Sequence, residues 1–266
     1  MNQFPITQDL ILNNKNSWLE IRFNNAVNRN ALKESLVEEL LIVFEVAKNN
    51  KDIRGIVLRG DGGVFCAGAD LKKMKKITES GKEAKNQAYD LSMTIGKLLK
   101  VINQAPQIVV SVTEGFALAG GFGIACASDF VISLEDTKFG LTETKIGLTP
   151  SQISKYVINK LGYSKARKMM LLGTIIDGLE ASKIGLVDFV VRNNEELEKK
   201  IKDFKSKVND CSPTAVATTK NIISSNRNID SQRAADLFSD SIISNDGKEG
   251  FESFFNKRKP SWKIKK

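Results

Sequence analysis

Two stretches decide how this chain folds: Phe65-Cys66-Ala67-Gly68-Ala69-Asp70-Leu71, and further along Glu114-Gly115-Phe116-Ala117-Leu118-Ala119-Gly120-Gly121-Phe122-Gly123. Each follows an apolar run of strand character, Ile56-Val57-Leu58 before the first and Ile108-Val109-Val110-Ser111-Val112 before the second. Each also precedes a segment patterned as a helix. Small residues at such a turn let a ligand approach the backbone, and the start of the following helix leaves amide N–H groups without partners. Two turns of this kind facing one another place two amide donors on one oxygen, the geometry of an oxyanion hole. Acyl transfer or enolate chemistry is therefore the first expectation.

Working outward, Trp18-Leu19-Glu20-Ile21-Arg22-Phe23 alternates with period two and reads as a strand. Residues 31–47 carry Leu32, Leu36, Leu40, Val43, Phe44 and Ala47 on one face, which predicts an amphipathic helix with Asn30 as its N-cap. A buried strand is expected over 53–58 and a turn at Asp61-Gly62-Gly63. Residues 72–105 begin lysine-rich and then become helical, until Pro106 stops them. Further strands are expected over 129–134 and 187–191, with two short helices over 151–172 broken at Leu161-Gly162. From Asn194 onward the pattern is almost wholly helical, with Pro213 at a helix start. Alternating β and α followed by helices predicts an α/β fold with a helical C-terminal region. The expected division is a core over 1–200 and a helical region over 201–266.

Composition narrows the chemistry. The chain of 266 residues has no histidine, so a Ser-His-Asp triad, a Cys-His pair and a histidine-ligated zinc are all excluded. Acid–base work must fall to Glu, Asp, Lys, Tyr or Cys. The formal charge of +9, from 40 basic and 31 acidic residues, admits a nucleic acid or a polyanionic cofactor as partner, while most of these charges read as a lysine-rich solvated surface. No run of about eighteen apolar residues occurs, so no membrane span is expected. Three cysteines at 66, 126 and 211 lack metal-ligand spacing and suit a reducing, cytoplasmic setting.

The two small-residue segments resemble those of the crotonase (enoyl-CoA hydratase/isomerase) superfamily. The likeness covers nearly the whole chain. It takes in Asn28-Arg29-Asn30-Ala31-Leu32, Phe139 to Pro150, Glu249-Gly250-Phe251 and Phe254-Phe255-Asn256-Lys257-Arg258-Lys259-Pro260. It implies a spiral of ββα turns, assembly as a homotrimer or a hexamer with the C-terminal region making the contacts, and an acyl-CoA thioester substrate. It implies no cofactor beyond the coenzyme A moiety of that substrate. By the same resemblance the amides of Ala69 and Gly120 are the two oxyanion donors. Backbone groups of Ala67, Ala69, Asp70 and Leu71 would bracket the adenine. Lys72 would approach the 3′-phosphate, joined by Lys257 of a neighbouring subunit.

Hydratases of this family with two glutamates carry one at the position held here by Gly123, so that carboxylate is missing. The other matches Glu143, within Phe139-Gly140-Leu141-Thr142-Glu143, which becomes the expected acid–base group. One carboxylate can hydrate an alkene by acting as base and then as acid, and it can equally shuttle a proton between two carbons. Chemistry alone thus leaves hydratase and isomerase open. The pattern Gly120-Gly121-Phe122-Gly123, with Thr142-Glu143-Thr144-Lys145-Ile146-Gly147-Leu148-Thr149-Pro150 and Ile153-Ser154-Lys155-Tyr156-Val157-Ile158, resembles bacterial methylglutaconyl-CoA hydratases and is similar to isohexenylglutaconyl-CoA hydratases, which implies a branched substrate bearing a second carboxylate. Asp70 is expected to cap a helix, Glu114 and Asp129 to be structural, and Cys66 and Cys126 to pack in the core. RNA binding through Lys72, Lys73, Lys75, Lys76, Lys82 and Lys85 is the rival class, but no stacking aromatics interleave them. A non-catalytic acyl-CoA scaffold is the third.

Overall fold

The apolar runs form the centre of the molecule in a computed structural model, which describes residues 4–224 and 229–263. The strands in chain order are β1 (Leu10–Lys15), β2 (Trp18–Phe23), β3 (Gly55–Gly60), β4 (Ile108–Thr113), β5 (Phe116–Leu118), β6 (Phe130–Leu134), β7 (Lys138–Gly140), β8 (Ile175–Ile176) and β9 (Phe189–Val191). The helices are α1 (Glu34–Lys48), α2 (Leu71–Thr78), α3 (Ala84–Gln104), α4 (Gly120–Ala127), α5 (Ser154–Leu161) and α6 (Tyr163–Leu172). Five more follow: α7 (Gly178–Lys183), α8 (Asn194–Asn209), α9 (Pro213–Ser224), α10 (Ser231–Ile243) and α11 (Asn245–Phe255).

Six strands make the main sheet in the order β1-β2-β3-β4-β6-β9. The β1–β2 hairpin is antiparallel and every other neighbour is parallel. Parallel strands need both faces covered. Accordingly Ile56 and Leu58 of β3 face one apolar cluster, with Leu36, Leu40, Phe44, Leu98 and Leu99 from α1 and α3. Val57 between them faces a second cluster, with Trp18, Val110 and the α8 residues Leu197, Ile201 and Phe204. A smaller sheet, β5-β7-β8, is attached where the chain leaves β4. This is the mixed α/β, crotonase-type architecture that the sequence predicts.

Two local differences have plain causes. Asn30 does not cap α1, whose N-cap is Lys33. Residues 31–33 are instead held extended, because the Leu32 amide donates to the Gly68 carbonyl at 2.8 Å. The fully buried Asn30 joins three turns, accepting from the Asn25 amide (2.9 Å) and donating to the carbonyls of Asp61 (2.9 Å) and Val64 (2.6 Å). The β1 strand, Leu-Ile-Leu-Asn-Asn-Lys, lies at the edge of the sheet, where only one side needs apolar residues.

Buried ion pairs fasten the C-terminal helices to this frame. On α9, the Lys220 ammonium donates to the Asp129 carboxylate at 2.5 Å and to the Gln107 carbonyl at 2.6 Å. Asp129 also accepts from the Val109 amide at 2.7 Å. Burial raises the Asp129 pKa and lowers that of Lys220, and each charge is held against that cost mainly by the other. The Arg54 guanidinium similarly donates to the carbonyls of Val208, Cys211 and Trp262. Removing one member of a buried pair leaves the other charge uncompensated. Lys220→Met is expected to lower stability by about 3 kcal/mol, measured by denaturant unfolding, whereas loss of the exposed Lys75–Glu79 pair is expected to cost under about 0.5 kcal/mol.

Candidate functional site

Four backbone segments lie side by side where the sheets meet. The Arg29 carbonyl accepts from the Ala67 amide (3.0 Å), and the Leu32 amide donates to Gly68. The Cys66 amide donates to the Phe116 carbonyl (2.9 Å), and the Leu118 amide donates back to the Cys66 carbonyl (3.0 Å). Leu118 pairs with Gly140 of β7, and the Ala119 amide donates to the Gly140 carbonyl at 2.8 Å. The order is thus residues 29–32, 66–69, 117–119 and 139–140. It brings both small-residue segments and the approach to Glu143 into one place.

Close approach explains the glycines. A methyl on Gly68, whose φ is +102°, would sit 3.0 Å from the Ala119 side chain. One on Gly120 would strike Leu32 at 2.6 Å, and one on Gly121 would be driven into the Cys66 carbonyl. Ala119 itself adopts φ 45°, ψ −111°, a region that side chains seldom occupy. Its conformation is fixed from both sides, by the bond to Gly140 and by its own carbonyl accepting from Gly123 at 2.9 Å. The turn swings the chain into α4, so the Gly120 amide begins a helix and has no intrahelical acceptor. Among the described residues, the Ala69 and Gly120 amides donate to no carbonyl outside their own elements.

The remaining expected residues fall around this turn. Ala67 keeps only its carbonyl free, since its amide serves Arg29. Asp70 caps α2, accepting from the amides of Lys72 (3.0 Å) and Lys73 (3.3 Å). Leu71 and Lys72 lie exposed on the first turn of α2, and among the described residues the Lys72 ammonium forms no ion pair, unlike Lys73, which pairs with Glu34. Lys257 is exposed at the end of α11, held in a left-handed conformation of φ 50°. Within the chain nothing brings it to the other site residues.

Glu143 opens a short 3-10 turn, Glu143–Ile146, three residues beyond the Gly140 carbonyl that anchors Ala119. Its Oε2 is buried and accepts no hydrogen bond. Burial raises its pKa above the ordinary carboxylate value, only partly offset by its own backbone amide. It forms no ion pair with Lys145, whose stem packs against Gly173 instead. The other interior acids differ: Glu114 binds Arg59 at 2.6 Å, and Asp129 binds Lys220. Both cysteines near the turns are buried, with the Cys66 thiol pushed up to about 12, so neither is a nucleophile at neutral pH.

Ile153 is a site neighbour that sequence reasoning missed. A methyl on Gly123 would lie 3.0 Å from two Ile153 carbons, so the place for an α4 carboxylate is filled by hydrocarbon. It lies in the run Ile153-Ser154-Lys155-Tyr156-Val157-Ile158, which shares the likeness to methylglutaconyl-CoA hydratases, but only contact reveals its role.

The family model for enoyl-CoA hydratase/isomerase matches residues 13–265. The chain belongs to the enoyl-CoA hydratase/isomerase family. A putative enoyl-CoA hydratase of Thermus thermophilus is 31% identical over 244 residues, covering 89% of this chain and 94% of the relative. The human mitochondrial methylglutaconyl-CoA hydratase is 28% identical over 252 residues, 90% of this chain and 72% of the relative. Among solved structures, an enoyl-CoA hydratase/isomerase from Marinobacter aquaeolei superposes with a TM-score of 0.91 at 35% identity, covering 96% of this chain and 99% of that one. The expected enzyme class is the one the family and these relatives carry.

Two tests follow from the geometry. Gly121→Ala forces apart the two hydrogen-bonded segments and is expected to cost about 3 kcal/mol in unfolding experiments, against about 1–2 kcal/mol for Gly147→Ser, where the space is open and only the φ of +76° strains the new side chain. Glu143 should show the opposite sign. A carboxyl whose folded pKa is raised is ionised more readily in the unfolded chain, so it lowers stability as pH climbs from the unfolded to the folded pKa. Glu143→Gln is expected to melt at or above the wild-type temperature at neutral pH. The difference should vanish below about pH 4, where the carboxyl is protonated in both states.

Proposed function

We propose that this protein adds water across the 2,3-double bond of an enoyl-CoA thioester. The observation that carries the reading is the buried, unpartnered Oε2 of Glu143, three residues past the anchor of a turn with two amides to offer. In the proposed mechanism the Ala69 and Gly120 amides bind the thioester oxygen and stabilise the enolate formed when water adds to Cβ. Glu143 takes the proton from that water and then delivers it to Cα. An amide donor of this kind supplies about 3 kcal/mol of transition-state stabilisation. The protein supplies every group that this addition needs, and the coenzyme A moiety belongs to the substrate.

In the same reading the Ala67 carbonyl and the backbone of Ala69, Asp70 and Leu71 bracket the adenine. Lys72, free of any carboxylate, meets the 3′-phosphate, and Lys257 approaches it from a neighbouring copy. That last role requires an oligomer, which we take to be a homotrimer or a hexamer. Exposed Phe238, Ile243, Phe254 and Phe255 on α10 and α11 supply apolar surface for it, in keeping with a contact-making region over 201–266. The preferred acyl group is proposed to be branched and to carry a second carboxylate, as in 3-methylglutaconyl-CoA. Support for this is the likeness around Glu143 and the name of the human relative. No described helix is long and apolar enough to cross a membrane, and a cytoplasmic location is assigned on the unpaired cysteines.

Loss of enoyl-thioester absorbance tests the reading with 3-methylglutaconyl-CoA and crotonyl-CoA. Turnover of the branched ester above crotonyl-CoA is expected, with kcat falling by about 10² to 10⁴ in Glu143→Gln. Preference for crotonyl-CoA would remove the branched assignment and keep the hydratase. Binding of both esters without hydration would overturn the reading. Double-bond migration without water addition would then identify an isomerase.

A further inference from the structure

At the other end of the strands lies a cleft of about 900 Å³, bounded by the β1–β2 hairpin, one face of α8 and the segment after α11. Its walls hold five lysines, at 15, 202, 205, 259 and 263, against three acids, Glu20, Glu198 and Asp210. Each acid is already engaged: Glu20 by Arg22 at 2.6 Å, Glu198 by Arg59 at 2.5 Å, and Asp210 by Lys263 at 2.7 Å. The ammonium groups of Lys15, Lys202, Lys205 and Lys259 pair with no carboxylate among the described residues. Lys205 is half-buried, held 5.5 Å above the Trp18 ring, and burial lowers its pKa, an effect that the charges of Glu20 and Glu198 only partly offset. Burying a cation is costly, and a bound anion lowers that cost. The amide group of Asn209, whose oxygen accepts from the Trp18 indole at 3.1 Å, leaves its NH₂ available as a further donor.

We propose that this cleft binds a small anion carrying a diphosphate group. Four unengaged ammonium groups exceed what one carboxylate can satisfy, and diphosphate presents several charged oxygens within one compact group. The volume is that of a small-molecule site. The cleft shares no residue with the turn around Gly120 or with Glu143. Trp18 begins β2 and pairs with Gly55 at the start of β3, whereas the candidate active site follows the far ends of β3 and β4. Parallel strands of this length separate the two by roughly 20 Å. The inference is thus independent of the reaction proposed above.

Calorimetric titration of the full-length protein at low salt with inorganic pyrophosphate and with ADP tests it. One site per chain is expected, weakened about tenfold or more in Lys202→Gln/Lys205→Gln, and unaffected by Lys72→Gln. Lys15→Gln/Lys202→Gln, which alters only exposed side chains, should weaken binding in the same sense with an unchanged melting temperature. Both double variants should keep the wild-type KM for crotonyl-CoA. Pyrophosphate binding that the cleft variants weaken identifies the free anion as sufficient; ADP binding alone, weakened by the same variants, identifies a nucleoside diphosphate. Absence of binding by either at millimolar concentration would overturn the proposal. So would binding abolished by Lys72→Gln but not by the cleft variants, or capture of single-stranded RNA by a chain that ignores both small anions.

Discussion

Two hydrogen bonds across one short length of backbone hold the functional end of this molecule together. They run from the Cys66 amide to Phe116 and from the Leu118 amide to Cys66. They join segments that emerge from adjacent parallel strands, and they bring the chains so close that side chains at 68, 120 and 121 have no room. Everything downstream depends on this contact. Leu32 reaches the same layer from one side and Gly140 from the other, so four segments share one hydrogen-bonded arrangement. The left-handed conformation of Ala119 is one consequence. A residue in such a region costs on the order of 1–3 kcal/mol and survives only when its surroundings fix it on both sides. Here they do, through the Gly140 carbonyl and the Gly123 amide. The strain is retained at the residue whose geometry aims the Gly120 amide.

The treatment of interior acids separates framework from chemistry. Glu114 and Asp129 border the second segment, and each is tied to a cation at 2.6 Å or less. Arg59 binds Glu114 directly below the strands that carry both turns, so the pair stiffens the base of the site. Glu143 has no such partner. An unpaired buried carboxylate oxygen lowers stability, and only the residue's own backbone amide offsets part of the cost. Sites that give up stability in this way are those where a group must remain available to something that arrives later.

Much of this was legible in sequence, for reasons that are local. The strands β2, β3 and β4 announce themselves by alternation or by unbroken β-branched runs, and the break between α5 and α6 by Gly162. Gly68, Gly120 and Gly121 stand out as glycines, and the structure gives each its reason: a φ of +102° at Gly68, the Leu32 side chain against Gly120 and the Cys66 carbonyl against Gly121. Glu143 is legible only through resemblance, since a glutamate between threonines has no periodicity to betray it. Asn30 misled because an asparagine ahead of an apolar stripe has the chemistry of a cap. Its amide found better partners in Asp61 and Val64, thirty-odd residues away, and α1 began without it. Long-range pairings of this sort leave no trace in a window of neighbouring residues. The filling of the Gly123 face by Ile153 is another, joining α4 to the residue that caps α5.

That last contact bears on the proposed hydration. With hydrocarbon against Gly123, α4 can present no carboxylate, and both proton transfers of the proposed reaction would fall to the same glutamate. Such a group must be ionised to accept a proton from water and protonated to give one to Cα. A carboxyl at its ordinary pKa is a weak base at neutral pH and gives up its proton too readily to remain an acid between the steps. Burial raises the pKa of Glu143 and narrows the free-energy gap between its two forms, which is the direction that favours one group doing both tasks. The desolvation that destabilises the fold at this position is thus the same physical effect that would let a single carboxylate replace two.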